Sequence, residues 1–276
     1  MAAFDPTTPH ETVRLEAVGV SKSYGARRST RIQAVDNLSF AVDSTMSMGI
    51  VGESGSGKST LARMLTRLET PTSGSIVFNG RVLPEHLPAD ELHAFRRTVQ
   101  YIAQDTSSSF DPRRTLRDAV RAPARRLLGL GRKEAEERVD EVLGLLHLPV
   151  ALADRKPAAV SGGQRQRFSI ARALVVRPRI LVCDEVVSAL DVSVQGAILN
   201  ELRSFCATHG TGLVFVSHGL PATAFISRDL TIMKSGHIVE TGSVDDIVTD
   251  AQDPYTRALL AAHADPATSH YSEAAL

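Results

Sequence analysis

The feature that most constrains this chain is a glycine-rich stretch, Gly52–Ser59, which reads Gly-Glu-Ser-Gly-Ser-Gly-Lys-Ser. An apolar run, Met48–Val51, precedes it and a helical pattern, Leu61–Leu68, follows it. Glycines let backbone N–H groups turn inward around a phosphate, and the start of the next helix adds its positive dipole end. The stretch matches the phosphate-binding loop in full and in the expected strand-to-helix context, so it predicts a nucleoside triphosphate site.

Individual residues of this loop have predicted roles. Lys58 can reach the outer phosphates as a point charge, and the hydroxyl of Ser59 is a predicted Mg²⁺ ligand. The residues expected to bind the nucleotide here are Gly52, Glu53, Ser54, Gly55, Ser56, Gly57, Lys58, Ser59 and Thr60. The loop alone does not say which nucleoside triphosphate is bound.

A second group of candidate residues follows an apolar run, Ile180–Cys183, which ends in Asp184 and Glu185. A strand buried in an α/β sheet delivers such acids to its carboxyl-terminal edge, where these sheets bind ligands. Asp184 can hold Mg²⁺ through water, and Glu185 can polarise the water that attacks the γ-phosphate. The alternative, a strand that ends in solvated acids, is the weaker interpretation beside the phosphate-binding loop.

His218 is a weaker candidate from the residues alone. It follows Ser217 and a strand pattern, Gly212–Val216. A histidine at a strand end of such a sheet could touch the γ-phosphate, although an ordinary surface histidine is the better interpretation of this position by itself.

Strand-like and helix-like patterns alternate along most of the chain, which predicts a parallel sheet covered by helices. Residues 110–160 are mostly helical and lack strand patterns, so we interpret them as a helical lobe inserted into an α/β core. The dipeptide Asn79-Gly80 predicts a tight turn. Strands are predicted at Val13–Val20, Leu38–Val42, Met48–Val51, Ser75–Phe78, Ile180–Cys183, Leu213–Val216, Leu230–Met233 and His237–Glu240, and helices at Leu61–Leu68, within 115–147 with a break at Gly129–Gly131, at Gln164–Val176 and at Val194–Ala207.

Composition excludes several other classes. Lys+Arg and Asp+Glu both count 31, so no global charge favours nucleic acid or an anionic membrane. Cys183 and Cys206 lack the spacing of a zinc site or a disulfide framework. No signal-peptide pattern and no run of about 18 uncharged apolar residues is seen, so we expect another chain to supply any membrane channel. Residues 1–11 are expected to be disordered and residues 263–276 to form a flexible tail.

The stretch Val160–Arg167 carries a family resemblance. Its Ser-Gly-Gly-Gln sequence opens a predicted helix just upstream of the acid-tipped strand, and it resembles the signature motif of ABC ATPases. The resemblance covers roughly residues 12–262 and rests on motifs in a fixed order: the phosphate-binding loop, Gln104, the signature, Asp184-Glu185, Ser188-Ala189-Leu190-Asp191 and His218.

This resemblance implies a fold and two cofactors. The expected fold is an α/β P-loop NTPase core, with a mixed and mostly parallel sheet, an antiparallel β subdomain and the helical lobe, all within residues 12–262. ATP and Mg²⁺ are the expected cofactors, with Ser59, Gln104 and Asp184 as the expected metal ligands.

The resemblance also implies a role for each matching residue. Tyr24 should stack on adenine, Gln104 should contact Mg²⁺ and the attacking water, Glu185 should be the catalytic base, and His218 should contact the γ-phosphate. The signature residues of one cassette should cap the ATP held by a partner cassette; they are Ser161, Gly162, Gly163 and Gln164. Asp191 should contact the partner across the dimer. Two cassettes would then enclose two ATP molecules.

A finer resemblance is to the cassettes of peptide and nickel importers. It rests on the loop and its continuation to Arg63, on Val187–Gln195, and on Asp253–Leu260, which looks like their C-terminal motif. The stretch Ser107–Arg113 is similar to a loop that faces the membrane subunits in that group. Three departures from the family pattern put the rate of hydrolysis in doubt: Val186, Gly219 and Thr45-Met46.

These observations predict an ATP-hydrolysing subunit of an ABC importer, with peptide as the expected cargo. The expected partners are two integral-membrane permease subunits, a second cassette (a different chain or a second copy) and, indirectly, a solute-binding protein, without nucleic acid. The expected location is the cytoplasmic face of the cell membrane, as a peripheral subunit. The alternatives are a nickel or metal-chelate importer cassette and a soluble ABC ATPase that acts on DNA or ribosomes.

Overall fold

A computed structural model of the chain describes residues 12–25, 32–105, 109–188 and 192–264. Several predictions lie outside these described residues: the disorder of 1–11, most of the tail 263–276, Ser107 and Ser108 of the stretch Ser107–Arg113, and the role of Asp191.

The described elements follow in chain order. They are β1 (Arg14–Tyr24), β2 (Ile32–Asp43), β3 (Ser47–Val51), α1 (Lys58–Leu65), β4 (Ser73–Phe78), β5 (Arg81–Val82), α2 (Ala89–Thr98), β6 (Val99–Ile102), α3 (Leu116–Leu128), α4 (Arg132–Leu145), α5 (Val150–Ala153), α6 (Gly162–Leu174), β7 (Ile180–Asp184), α7 (Val192–His209), β8 (Gly212–Ser217), α8 (Leu220–Ile226), β9 (Asp229–Lys234), β10 (His237–Ser243), α9 (Val244–Asp250) and α10 (Pro254–Ala264).

The chain divides into two compact units. We call the first the phosphate-loop unit, which comprises Val13–Glu85 and the chain from Gly212 onward. The second, which we call the carboxylate unit, contains residues 86–211. The boundaries 12–262 and 110–160 that the sequence suggested remain predictions.

One sheet of the phosphate-loop unit is antiparallel, with the strand order β2-β1-β4-β5. Leu15, Ala17 and Val20 of β1 are buried, as expected for a strand that packs one face on a core. Asn79 and Gly80 both have positive φ and join β4 to β5 with Phe78 opposite Arg81, so the predicted tight turn is confirmed.

The same unit contains the strands that carry the phosphate-binding loop. β3 pairs in parallel with β8 on one side and with β9 on the other, and β10 pairs antiparallel with β9. Every residue of β8 is buried, and so are Met48–Val51 of β3. Continuous apolar strands of this kind form where both faces of a sheet are covered. The end of β3, from which the loop starts, therefore lies between two paired strands.

The carboxylate unit combines a parallel strand pair with helices. β6 and β7 pair in parallel, with Ile102 opposite Cys183. Helices α3, α4 and α6 pack together through fully buried side chains such as Leu116, Leu143 and Phe168. Gly129, in the left-handed conformation, ends α3. The break predicted at Gly129–Gly131 is therefore confirmed.

Helix boundaries are the main correction to the predicted elements. The first helix runs from Lys58 to Leu65 rather than Leu61–Leu68, because it begins directly after the left-handed Gly57. The signature helix runs from Gly162 to Leu174 rather than Gln164–Val176, because Ser161 caps it. The prediction did not include α2, α5, β5, β6 or α8–α10. No helix of the described residues is long and apolar enough to cross a membrane.

Candidate active site

The phosphate-binding loop is wrapped around the side chain of Lys58. Lys58 is buried, and its Nζ donates to the carbonyl oxygens of Gly52 at 2.7 Å and Glu53 at 2.8 Å. Helix α1 begins at this lysine, with Gly57 as an N-cap that has no side chain. The first turn of α1 thus provides the positive dipole end that favours a phosphate at this place.

Two glycines of the loop are required by their surroundings. A Cβ atom on Gly52 would lie 2.1 Å from the carbonyl oxygen of Met233. Gly57 has a φ of +101°, and a Cβ atom there would lie 2.3 Å from the carbonyl oxygen of Ala34. The loop therefore packs closely against the backbone of Met233 and Ala34 only because Gly52 and Gly57 have no side chain.

Tyr24 ends β1, and the residue is 38% exposed. Its hydroxyl donates to the Glu69 carboxylate and lies 3.5 Å from the Thr60 Oγ1. Burial raises the pKa of the Tyr24 hydroxyl, and the Glu69 carboxylate raises it further, so the hydroxyl remains a donor at neutral pH. Glu69, which the sequence interpretation missed, lies four residues beyond the end of α1 and holds the hydroxyl of Tyr24.

His218 lies at the same sheet edge as the loop. Val51 of β3 is opposite Ser217 of β8 in their parallel pairing. Gly52 directly follows Val51, and His218 directly follows Ser217. The side chain of His218 is exposed. The fold therefore brings together the loop and this histidine, as expected for strand ends of one parallel sheet.

The carboxylate unit brings three other candidates together. Asp184 is 1% exposed and accepts a 2.7 Å hydrogen bond from the hydroxyl of Tyr101. The Nε2 of Gln104 donates to Oε2 of Glu185 at 2.6 Å. Tyr101 was missed from the sequence, because Gln100 interrupts the short strand Val99–Ile102 that carries it.

Glu185 has an unusual backbone conformation. Its φ is +50°, in the left-handed region that side-chain-bearing residues seldom occupy. The hydroxyl of Ser188 donates to the carbonyl oxygen of Glu185 at 2.9 Å and closes a turn there. Such backbone strain is concentrated at functional sites, where it points a side chain in one direction.

The signature residues form a capped helix start. Ser161 Oγ accepts from the N–H of Gln164 at 3.2 Å, and Gln164 Oε1 accepts from the N–H of Ser161 at 3.0 Å. This is a capping box, and Gly162 and Gly163 form the exposed or half-exposed first turn beside it. The arrangement leaves a helix N-terminus at the surface that suits an anion.

Comparison with known proteins places these features in one family. The model of the family described as ABC transporter matches residues 35–188. The chain belongs to the ABC transporter family. It is 42% identical over 229 residues to a protein of Brucella abortus named a peptide import ATP-binding protein; the alignment covers 83% of this chain and 69% of that one. A Brucella ovis protein of the same description is 40% identical over 257 residues, which are 93% of this chain and 80% of that one.

Solved structures agree with the family assignment. The dimeric ATP-binding cassette MJ0796, in a post-hydrolysis state with ADP and phosphate, has a TM-score of 0.76 to this chain at 27% identity. The match covers 83% of this chain and 98% of that cassette. As an ABC cassette with this fold, the chain is an ATPase.

The ABC cassette has the donor groups that its cofactors need. The loop has the conformation of a phosphate cradle, with a lysine and a helix start at its end. Hydroxyl, carboxylate and amide oxygens are the hard ligands that Mg²⁺ prefers; Ser59 carries one such group in the phosphate-loop unit, and Asp184 and Gln104 carry two in the carboxylate unit. The loop fits the phosphates of ATP, and the oxygen groups of each unit are of the kind that Mg²⁺ binds; a bound Mg²⁺ would supply charge compensation for the phosphates.

Two of the three departures from the family pattern, at Thr45-Met46 and at Gly219, lie in turns with local hydrogen bonds. Thr45 forms a turn before β3 in which its N–H and Oγ1 both donate to Asp43 Oδ1, at 2.7 and 2.6 Å. Gly219 is the N-cap of α8, and its N–H donates to Ser217 Oγ at 3.0 Å. Val186 is buried directly after Glu185. Nothing in the structure explains why valine stands at this position.

Proposed function

We propose that this ABC cassette hydrolyses ATP to drive the import of peptides through a pair of membrane permease subunits. The observation that carries the catalytic part is the pairing of Gln104 with Glu185 at the ends of β6 and β7, beside the buried Asp184. The direction of transport and the cargo are supported by relatives that are named peptide import ATP-binding proteins.

The proposed chemistry assigns a task to each group. Glu185 accepts a proton from the attacking water, and Gln104 orients Glu185 and contributes to Mg²⁺ binding with Ser59 and Asp184. Lys58 and the backbone N–H groups of the loop stabilise charge on the phosphates, and His218 contacts the γ-phosphate. Tyr24 stacks on adenine. Positioning and charge stabilisation account for most of the rate in such reactions.

A second cassette would complete the site. The exposed start of α6, from Ser161 to Gln164, is suited to cap the ATP held by a partner, and we assign Asp191 to the same interface. The partner can be a different cassette or a second copy of this chain, and the heterodimer is our preferred arrangement. ATP binding would then close the dimer, and hydrolysis would reopen it.

A basic cavity in the carboxylate unit supports docking to the permease subunits. The cavity has a volume of about 400 Å³ and is lined by Arg114, Asp118, Arg121, Ala122, Arg125, Arg126, Gly129 and Leu130. Arg121 pairs with Asp118 and Glu136, and Arg114 lies 3.7 Å from Asp111. The lining remains net positive, so it suits an acidic cytoplasmic segment of a membrane protein. We assign Arg114 of this lining and the neighbouring Arg113 to that contact.

The cargo never touches this subunit, so its identity rests on the relatives alone. Peptide is our first choice, and nickel or a metal chelate is the second, because the Asp253–Leu260 stretch is similar to a motif of both importer groups. A solute-binding protein would deliver the cargo outside the membrane. The assembly would place this chain at the cytoplasmic membrane face.

Copurification tests the proposal. A Glu185→Gln variant, purified from detergent-solubilised membranes of its native cell with ATP present, should retain two polytopic membrane proteins and a second cassette. The neighbouring solute receptor can then be tested with peptides and with nickel. Recovery only with ribosomes or DNA in the soluble fraction would reject transport and leave a non-transport ATPase.

A charge-reversal pair tests the docking surface separately. Arg113→Glu with Arg114→Glu should weaken membrane association and leave ATP binding unchanged. Arg132→Glu, at the exposed start of α4, is the matched control and should do neither. Unchanged membrane pelleting of the double variant would show that the docking assignment is wrong.

A further inference from the structure

Tyr255 links the last described helix to the phosphate-binding loop. Its Oη accepts a 3.0 Å hydrogen bond from the backbone N–H of Glu53. Lys58 Nζ donates to the carbonyl oxygen of Gly52 at 2.7 Å. That carbonyl and the N–H of Glu53 belong to the same peptide group. One peptide plane of the loop is therefore held at both ends, by an ammonium group and by a phenol hydroxyl.

The start of α10 is fixed on β10 by further hydrogen bonds. The Glu240 carboxylate accepts from the backbone N–H groups of Gln252 at 2.7 Å and Asp253 at 3.2 Å. Asp253 Oδ1 accepts in turn from the N–H of Tyr255 at 2.7 Å. Because these contacts hold the backbone of Tyr255 in place, its hydroxyl is a fixed support for the loop.

One face of α10 also packs on the core beside the loop. Tyr255, Leu259 and Leu260 contact a buried cluster that contains Val51, the last residue of β3. Lys234 Nζ lies 4.6 Å from the centre of the Tyr255 ring. The ring of Tyr255 thus contacts the core, whereas its hydroxyl contacts the loop, and a substitution can remove one contact without the other.

We propose that Tyr255 is a positioning residue for the phosphate-binding loop, and that its hydroxyl sets the affinity for nucleotide phosphates by holding the Gly52–Glu53 peptide. A bound phosphate competes with the Gly52 and Glu53 carbonyls for the three N–H donors of Lys58. Tyr255 holds the N–H side of the peptide throughout, so the loop keeps its shape when the lysine engages phosphate. This proposal rests on Gly52–Ser59 being the ATP phosphate site.

The test is a Tyr255→Phe substitution in the full chain. It keeps the ring packing and removes only the acceptor for the Glu53 N–H. We expect the dissociation constants of MgATP and MgADP, measured by calorimetric titration, to rise about 3- to 10-fold, because the released peptide adopts other orientations and a smaller fraction of the loops is competent to bind phosphate. The melting temperature without nucleotide should fall by only about 2–4 °C, the effect of one lost hydrogen bond, while the rise in melting temperature that nucleotide causes becomes smaller.

Matched variants separate the hydroxyl from general stability. Thr249→Val removes a hydroxyl of α9 that donates to the Asp245 carbonyl oxygen, and it should leave nucleotide affinity unchanged. Tyr255→Leu removes ring and hydroxyl together and should lower the melting temperature without nucleotide as well.

Two outcomes overturn the proposal. One is a Tyr255→Phe protein that binds MgATP within about twofold of the wild type. The other is a melting temperature without nucleotide that falls as far for Tyr255→Phe as for Tyr255→Leu. Lys58→Ala tests the loop itself, since unchanged ATP affinity in that variant rejects the phosphate site rather than the role of Tyr255 alone.

Discussion

The amide of Gln104 donates a 2.6 Å hydrogen bond to the carboxylate of Glu185. The contact follows from the strand register. Ile102 of β6 lies opposite Cys183 of β7. Gln104 comes two residues after Ile102, and Glu185 comes two residues after Cys183. Parallel strands align their carboxyl ends at one edge, so residues that are distant in sequence meet there. The hydrogen bond restricts the direction of the Glu185 carboxylate.

The first prediction concerns Glu185 as the base. Glu185→Gln keeps the size of the side chain and cannot accept a proton, so ATP should still bind while hydrolysis falls about 10²–10⁴-fold. ATP binding is measured by titration and turnover by phosphate release from the assembled complex. Glu141→Gln, an exposed acid of the same unit that pairs with Arg177, should leave both unchanged. Normal turnover of the Glu185 variant would exclude this residue as the base.

A second prediction concerns Tyr101. Its hydroxyl donates to the buried Asp184, so Tyr101→Phe removes one hydrogen bond from a buried carboxyl group and should cost about 1–3 kcal/mol of unfolding free energy. We also expect the Mg²⁺ concentration for half-maximal ATPase activity to rise several-fold, because Asp184 loses its orientation. Thr98→Val, which removes a buried hydroxyl that donates to Ala94, is the control for stability alone. An unchanged Mg²⁺ dependence would argue against the orienting role.

The third prediction compares two glycines. Gly52→Ala places a Cβ atom 2.1 Å from the Met233 carbonyl oxygen, so the loop must shift and ATP binding should be lost. Gly196→Ala, within α7, meets nothing within 4 Å and should stabilise the fold by about 0.5–1 kcal/mol through helix propensity. Urea unfolding and ATP titration measure the two effects. Normal ATP affinity of Gly52→Ala would contradict the close approach seen here.

The fourth prediction concerns acid stability. Burial raises the pKa of Glu136, but hydrogen bonds from Arg121 and Arg117 outweigh it and hold this pKa below its ordinary value of 4.5. A depressed folded pKa contributes stability that is present above the ordinary value and is lost as the pH falls through the folded value. Glu136→Gln should therefore lower the urea midpoint at pH 7 and reduce its decline in acid.

Glu137→Gln is the matched control for this acid dependence. Glu137 lies next along α4, is exposed and is 3.9 Å from Lys133, so its ion pair contributes little. If both variants show the same acid dependence as the wild type, the arginine contacts of Glu136 do not contribute to stability.

Much of the fold could be predicted because local patterns encode it. Ile180–Cys183 is uniformly apolar and forms a strand, and Asn79-Gly80 forms the turn that positive φ requires. The strand Val99–Ile102 was missed because four residues interrupted by Gln100 show no clear period. Helix α10 was noticed only as a motif, and its contact with the loop has no local signature.

The sequence by itself determined the chemistry of the site, since a phosphate cradle, an acid-tipped strand and a capped helix start are each local conformations of a few neighbouring residues. Only the tertiary structure decided which side chains support them. Tyr24 meets Glu69 across 45 positions, Tyr101 meets Asp184 across 83, and Glu53 meets Tyr255 across 202. Such contacts depend on strand order and helix packing, which bring distant residues together without leaving a pattern in either segment.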